Sequence, residues 1–116
     1  MFAAKGIAHG LGADGKDMIG PAEYAPFHQA FLSGFADLKI TLDDLVEEGD
    51  QVAARWHATG TLTGHGLGFP PTGKSMTITG MTIIRVENGQ IVEAWNNFDV
   101  LGMHQQLGTL AAIAAI

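Results

Sequence analysis

SMTITGMTIIRVENGQIVEAWNNFD, residues 75–99, is the stretch that decides the fold. Asn88-Gly89 supplies the two residues that a tight hairpin turn with positive φ at both central positions demands. On either side of it apolar and polar residues alternate with the period of two that marks a strand with one buried face. A long strand over 74–87 and a return strand from Ile91 to Asp99 follow. Upstream, Val52, Ala54, Trp56, Ala58 and Leu62 alternate with Arg55, His57, Thr59, Thr61 and Thr63, giving a strand over 51–63. Leu38, Ile40 and Leu42 begin another, which Glu48-Gly49-Asp50 turns back as a hairpin. Residues 64–73 are rich in Gly and Pro and read as loop.

The N-terminal third has a different period. Gly20-Pro21 is a helix start with Pro at the first helical position. Tyr24, Phe27, Phe31 and Phe35 then recur three and four residues apart, an apolar stripe on a helix from about 21 to 35. Residues 1–20 show little periodicity and read as loop, and a short helix is expected over about 100–108. The order is loop, helix, then four antiparallel strands, an α+β domain occupying 1–116 as one unit. One helix cannot cover a long sheet, so a loop, the tail or a second chain must close what remains. The apolar tail Leu110–Ile116 is expected to be buried.

Composition narrows the function. The chain has 116 residues, twelve acids against six bases and no cysteine, which removes disulfide and thiolate chemistry. It has no run of Lys or Arg, so neither nucleic acid nor an anionic membrane is an expected partner. No segment approaches the roughly 20 apolar residues of a membrane span. A cysteine-free chain with no signal-like start fits the cytoplasm. The histidines show no metal-ligand spacing, so no metal is expected.

Hairpin register selects the candidate site. Counting outward from Asn88-Gly89 without a break, Thr82 faces Trp95, Gly80 faces Asn97 and Ile78 faces Asp99. Glu93, Trp95, Asn97 and Asp99 then share a face with Ile84, Thr82, Gly80 and Ile78. An acid among Ile, Trp and Gly would be desolvated and a better proton shuttle near neutrality. Asp99 could equally cap the helix that follows it, and Trp95 could be core or ligand platform. Phe27 and Phe31 would line the helix side, His9 could reach the pocket mouth, and His57 could assist Asp99 if its face is the pocket face. Arg55 and Glu93 could form an ion pair. Val52, Val92, Ala94, Phe98 and Met81 need burial, which a symmetric homodimer would supply.

Phrases spread along the chain carry a resemblance. They run from Phe31–Leu38 through Glu48-Gly49-Asp50-Gln51-Val52-Ala53-Ala54-Arg55-Trp56, Thr59-Gly60-Thr61, Thr63-Gly64 and Pro70-Pro71-Thr72-Gly73-Lys74. Ile84–Trp95, Asp99, Leu101-Gly102 and Gln105-Gln106-Leu107-Gly108 complete the series. In order and spacing, over roughly 7–109, they resemble the SnoaL-like polyketide-cyclase group of the NTF2-like superfamily. The resemblance implies a cone- or barrel-like α+β fold, a curved antiparallel sheet packed on helix around an apolar pocket. It implies aldol-type ring closure by an acidic residue, without metal or cofactor, on a small apolar, polyketide-like molecule. In the pattern Glu-x-Trp-x-x-x-Asp, here Glu93, Trp95 and Asp99, the catalytic role falls to Asp99. Two features depart from the family: its long N-terminal helix is shortened or missing, and Thr82-Ile83-Ile84-Arg85 holds no assisting histidine. The alternative function is a non-catalytic ligand-binding or dimerisation module of the same fold.

Overall fold

The computed structural model describes residues 2–11 and 16–110. The elements are β1 (Phe2–His9), β2 (Met18–Ile19), α1 (Gly20–Gly34), β3 (Lys39–Glu48), β4 (Gln51–Thr61), β5 (Ser75–Glu87), β6 (Gln90–Phe98) and α2 (Val100–Leu107). The strands form one open six-stranded sheet in the order β2-β1-β6-β5-β4-β3, not closed into a barrel. The α+β class, the helix, the four expected strands and the short final helix all stand where the alternation and turn residues put them. From 111 onward the expected packing of the tail lies outside the described residues.

Residues 1–20 are not simply loop, which corrects the sequence expectation. β1 pairs in parallel with β6, and β2 pairs antiparallel with β1. No turn announces the pairing of β1 with β6, because the partners, such as Phe2 with Ile91 and His9 with Trp95, are far apart in sequence. Gly6 lets the backbones close up: a Cβ there would stand 2.9 Å from the Ile91 carbonyl oxygen and from the Phe2 ring. The same glycine interrupts the alternation that would have marked a strand.

The register of the β5–β6 hairpin carries a further correction. Glu87 faces Gln90 and Val86 faces Ile91, as an unbroken count requires, but Arg85 then faces Glu93. Val92 is the extra residue of a β-bulge. Beyond it Ile84 faces Ala94, Ile83 faces Trp95, Thr82 faces Asn96 and Gly80 faces Phe98. A one-residue slip exchanges the faces of a strand. Ala94, Asn96 and Phe98 therefore join Ile84, Thr82 and Gly80 on the inner face, toward α1. Glu93, Trp95 and Asn97 join Arg85, Ile83 and Met81 on the outer face.

The densest packing lies at one end of the inner face. Phe35, Leu62 and Leu107 are fully buried there, with Ala58, Met76, Ile78 and Met103 around them. Gly60 makes room for Phe35, whose ring would lie 3.0 Å from a Cβ at that position. From Phe35 the aromatic stripe of α1 climbs away from the core as a ladder of rings. Centroids are 6.0 Å apart from Phe35 to Phe31, 5.0 Å from Phe31 to Phe27 and 6.3 Å from Phe27 to Tyr24. These are tilted contacts within the favourable range for aromatic pairs.

Gly80 is a second place where a missing side chain shapes the interior. The Trp56 indole lies across it, and a Cβ there would overlap the indole ring. Gly80→Ala should therefore cost about 1–3 kcal/mol, the usual penalty of overpacking, read as a lower urea midpoint at unchanged slope. An unchanged midpoint would show that the indole is free to move aside.

Candidate functional site

Above the core, α1 stands off the inner face and leaves a partly open, largely apolar cavity of about 520 Å³. This lies within the range of small-molecule pockets, about 300–1,000 Å³. The helix wall is Tyr24, Phe27, His28 and Phe31. The sheet wall runs from Ile40 through Trp56, Ala58, Met76, Ile78, Thr82 and Ile84 to Ala94, Asn96 and Phe98. Phe2, Ala8 and Leu11 complete it from the N-terminal segment. That segment is part of the site although its sequence reads as loop.

Polar groups on the sheet wall form one directed chain. Trp56 Nε1–H donates to Thr82 Oγ1 at 3.1 Å, and the Thr82 hydroxyl donates to Asn96 Oδ1 at 2.9 Å. Asn96 Nδ2–H donates to the His9 carbonyl at 2.9 Å. Indole can only donate and a backbone carbonyl can only accept, so the two ends fix the direction of every bond between them. The Asn96 amide must present its oxygen to Thr82 and its nitrogen to His9. Among the described residues its second N–H makes no hydrogen bond, and Asn96 belongs to the cavity wall. A donor left over in an apolar enclosure gains most from an acceptor that a ligand brings.

The expected site residues divide by face. Thr82, Ile84, Ile78, Phe27 and Phe31 line the cavity. Trp95 and Asn97 do not, because the bulge at Val92 turns them to the outer face. Of the residues expected to need cover, Ala94 and Phe98 line the cavity, whereas Met81 is exposed on the outer face. His9 lies beside Trp95 in register and also points outward, while Ala8 faces in. His57 is on the outer face with Arg55, its Nδ1 2.7 Å from Asp43 Oδ2. Asp99 is exposed outside the apolar cavity, and its Oδ1 accepts the Gly102 N–H at 2.9 Å as the cap of α2. It borders a shallower recess of about 450 Å³ with Arg55, Thr79, Met81 and Asn97. Arg55 and Glu93 cannot pair directly, since β5 separates their strands.

Asn96, Tyr24 and His28 are among the cavity residues that the sequence reading does not single out. Asn96 was hidden by the bulge, which no residue in Val86–Val92 advertises. Tyr24 was read as core stripe. His28 carried a usable signal: it lies four residues after Tyr24 and three before Phe31, on the same helical stripe.

On the outer face a charged cluster ties the N-terminal segment to β6. His9 Nε2 lies 2.7 Å from Glu93 Oε2 and His9 Nδ1 lies 2.8 Å from Asp17 Oδ1. Arg85 reaches Glu93 at 3.4 Å and Glu87 at 2.6 Å. The His9 ring stacks on Trp95, with centroids 5.8 Å apart. The hydrogen bond to Glu93, then that to Asp17, raises the His9 pKa above its ordinary 6.5. The same bond to His9, then that to Arg85, lowers Glu93 below 4.5. Burial instead lowers His104, which sits against Thr109 Oγ1 at 2.6 Å.

Comparison with known proteins points to one group. The family model for SnoaL-like polyketide cyclases matches residues 1–107. Among solved structures, IdmH from Streptomyces antibioticus, described as a candidate polyketide cyclase, is 32% identical with a TM-score of 0.74, covering 93% of this chain and 82% of that one. TsrD from Streptomyces laurentii is 31% identical with a TM-score of 0.78, covering 94% and 78%. A candidate SnoaL-like polyketide cyclase from Jannaschia sp. CCS1 is 22% identical with a TM-score of 0.81, covering 91% and 72%, a likeness of fold. No curated protein matches.

The charged cluster makes stability depend on pH in a defined window. His9, raised on folding, stabilises fully below its unfolded 6.5, and that contribution is lost as pH rises through the folded value. Glu93, lowered on folding, stabilises above 4.5 and loses its contribution as pH falls through the folded value. Both act together between about 4.5 and 6.5. His104 works the other way, losing stability as pH falls below 6.5, so the difference between wild type and His9→Gln isolates the cluster. That difference, from urea melts, should be largest near pH 5.5–6 by this linkage and shrink on the alkaline side. Equal differences at pH 6 and pH 9 would refute the ion pairing.

Proposed function

We propose, for a chain that belongs to the SnoaL-like polyketide cyclase family, that the cavity binds a small, apolar, polyketide-like ring compound through one carbonyl oxygen. The whole chain acts as one domain, in the cytoplasm and without a cofactor. No helix among the described residues is long and apolar enough to cross a membrane. The observation that carries the reading is the cavity wall itself, whose sheet side is apolar except for a directed polar row running through Thr82 and Asn96. Apolar surface supplies affinity, and the Asn96 donor orients the guest. The reaction that fits is a cyclisation or isomerisation by proton transfer within the bound molecule.

One observation favours a second reading, binding without turnover. Among the described residues no carboxylate lines the cavity. The position of Asp99 supports a role as the cap of α2 rather than as the acid of this cavity.

A second copy of the chain is the partner this reading assigns to the outer face. Val46, Ala53, Ile83 and Trp95 stand side by side across four strands. Val46 is 63% exposed, Ile83 43% and Trp95 37%, and Met81 beside them is 61% exposed. Contiguous apolar surface of this kind suits a symmetric, sheet-to-sheet interface.

Two measurements test these statements. A hydroxyanthraquinone such as alizarin should raise the melting temperature in proportion to the logarithm of its concentration. Asn96→Leu should weaken its binding roughly 3- to 10-fold, the worth of one net hydrogen bond; no shift with any ring compound of this size would refute the binding reading. Sedimentation at micromolar concentration should show a dimer that Ile83→Lys splits, and a wild-type monomer would refute the interface.

A further inference from the structure

We infer that His28 is the general base of the cavity and acts on a C–H bond next to a ligand carbonyl held by Asn96. The inference rests on the binding reading above and names the group that would make the bound molecule react.

Among the described residues, Tyr24 and His28 are the only titratable side chains that line the cavity. They occupy i and i+4 of α1, so both project from the same stripe as Phe27 and Phe31. Their rings stack with centroids 6.0 Å apart and planes 19° apart, which holds the imidazole in one plane. Tyr24 is anchored in turn by Phe2, 5.8 Å away. His28 belongs to the cavity wall yet remains exposed overall, so it can exchange its proton with water between turnovers. Imidazole is the side chain suited to accept and return a proton near neutral pH.

The two walls divide the work. From the sheet, the spare Asn96 N–H polarises the carbonyl oxygen. From the helix, the His28 imidazole takes a proton from the adjacent carbon. The C–H electron pair becomes the C=C bond of an enolate, and the C=O π pair moves to the oxygen facing Asn96. The enolate carbon then attacks a second carbonyl of the same molecule. One C–C bond forms, and the new alkoxide takes the proton back from the imidazolium. No atom is lost, and neither oxidant nor reductant is needed.

2-Tetralone, an apolar bicyclic ketone with acidic C–H bonds beside its carbonyl, is a direct probe. In D2O the wild-type protein should exchange those protons faster than buffer by on the order of 10²-fold, as a positioned base does. His28→Gln should remove the acceleration while still binding 2-tetralone, as judged by thermal shift, and with an unchanged melting temperature in its absence. Asp99→Asn, which keeps the cap of α2, should exchange at the wild-type rate. Ketone that binds but exchanges no faster than in buffer overturns the assignment to His28 and leaves the binding reading standing. So does exchange that survives His28→Gln or disappears in Asp99→Asn. Failure of 2-tetralone to bind overturns the assignment to His28, and failure of every ring compound of this size overturns the binding reading with it.

Discussion

The parity of β6 hangs on a single residue. At the bulge, Ile91 and Val92 together oppose Val86, and every side chain beyond them faces the side opposite to the one an unbroken ladder would give it. Asn96 is thereby brought under α1, and Glu93 and Trp95 are sent outward. The Thr82–Asn96 hydrogen bond exists because these residues meet directly across the β5–β6 pair. The outward Glu93 can meet His9 because β1 runs parallel to β6 with Ile7 opposite Glu93. The inner polar row and the outer charged cluster are two faces of one local irregularity.

Placing polar groups in an apolar cavity is costly unless each is satisfied, and the inner row meets that condition with one opening. Trp56, Thr82 and Asn96 satisfy one another in a fixed direction and end on the His9 carbonyl. Such a row is rigid because reversing any member would set donor against donor. Gly80 contributes from below, since only an absent side chain lets the Trp56 indole lie flat enough to aim Nε1 at Thr82. The stiffness that orders the protein interior thus also presents a directed donor to whatever occupies the cavity.

The other wall is built on a different principle. α1 presents aromatic rings in succession, from the fully buried Phe35 to the half-buried Tyr24. The helix is gripped at its C-terminal end by Leu62 and Gly60 and at its N-terminal end by β1 and β2. Between those grips it bridges open space, and the cavity is that space. Its size follows from where the large side chains run out, not from any residue that carves it.

Much of the fold was legible in residues 20–108. Alternation over 51–63 and 74–99, Asn88-Gly89 and the aromatic stripe of α1 are local signals with local physical causes. Thr82, Ile84, Ile78, Phe27 and Phe31, on the stretches these signals mark, stand in the cavity wall. What they could not carry was parity and partnership. A bulge between similar β-branched residues leaves no mark on composition, so Trp95 and Asn97 were assigned the face that Ala94 and Asn96 occupy. The pairing of β1 with β6 joins segments too distant for any turn to announce, so His9 was aimed at the pocket rather than at Glu93. Over residues 20–108 the sequence by itself determined which segments are helix or strand and which residues are apolar enough to be buried, because those depend on neighbours along the chain. The tertiary structure alone decided which face each β6 side chain takes and which of the polar side chains line the cavity, because those depend on one inserted residue and on contacts that only the assembled sheet brings together.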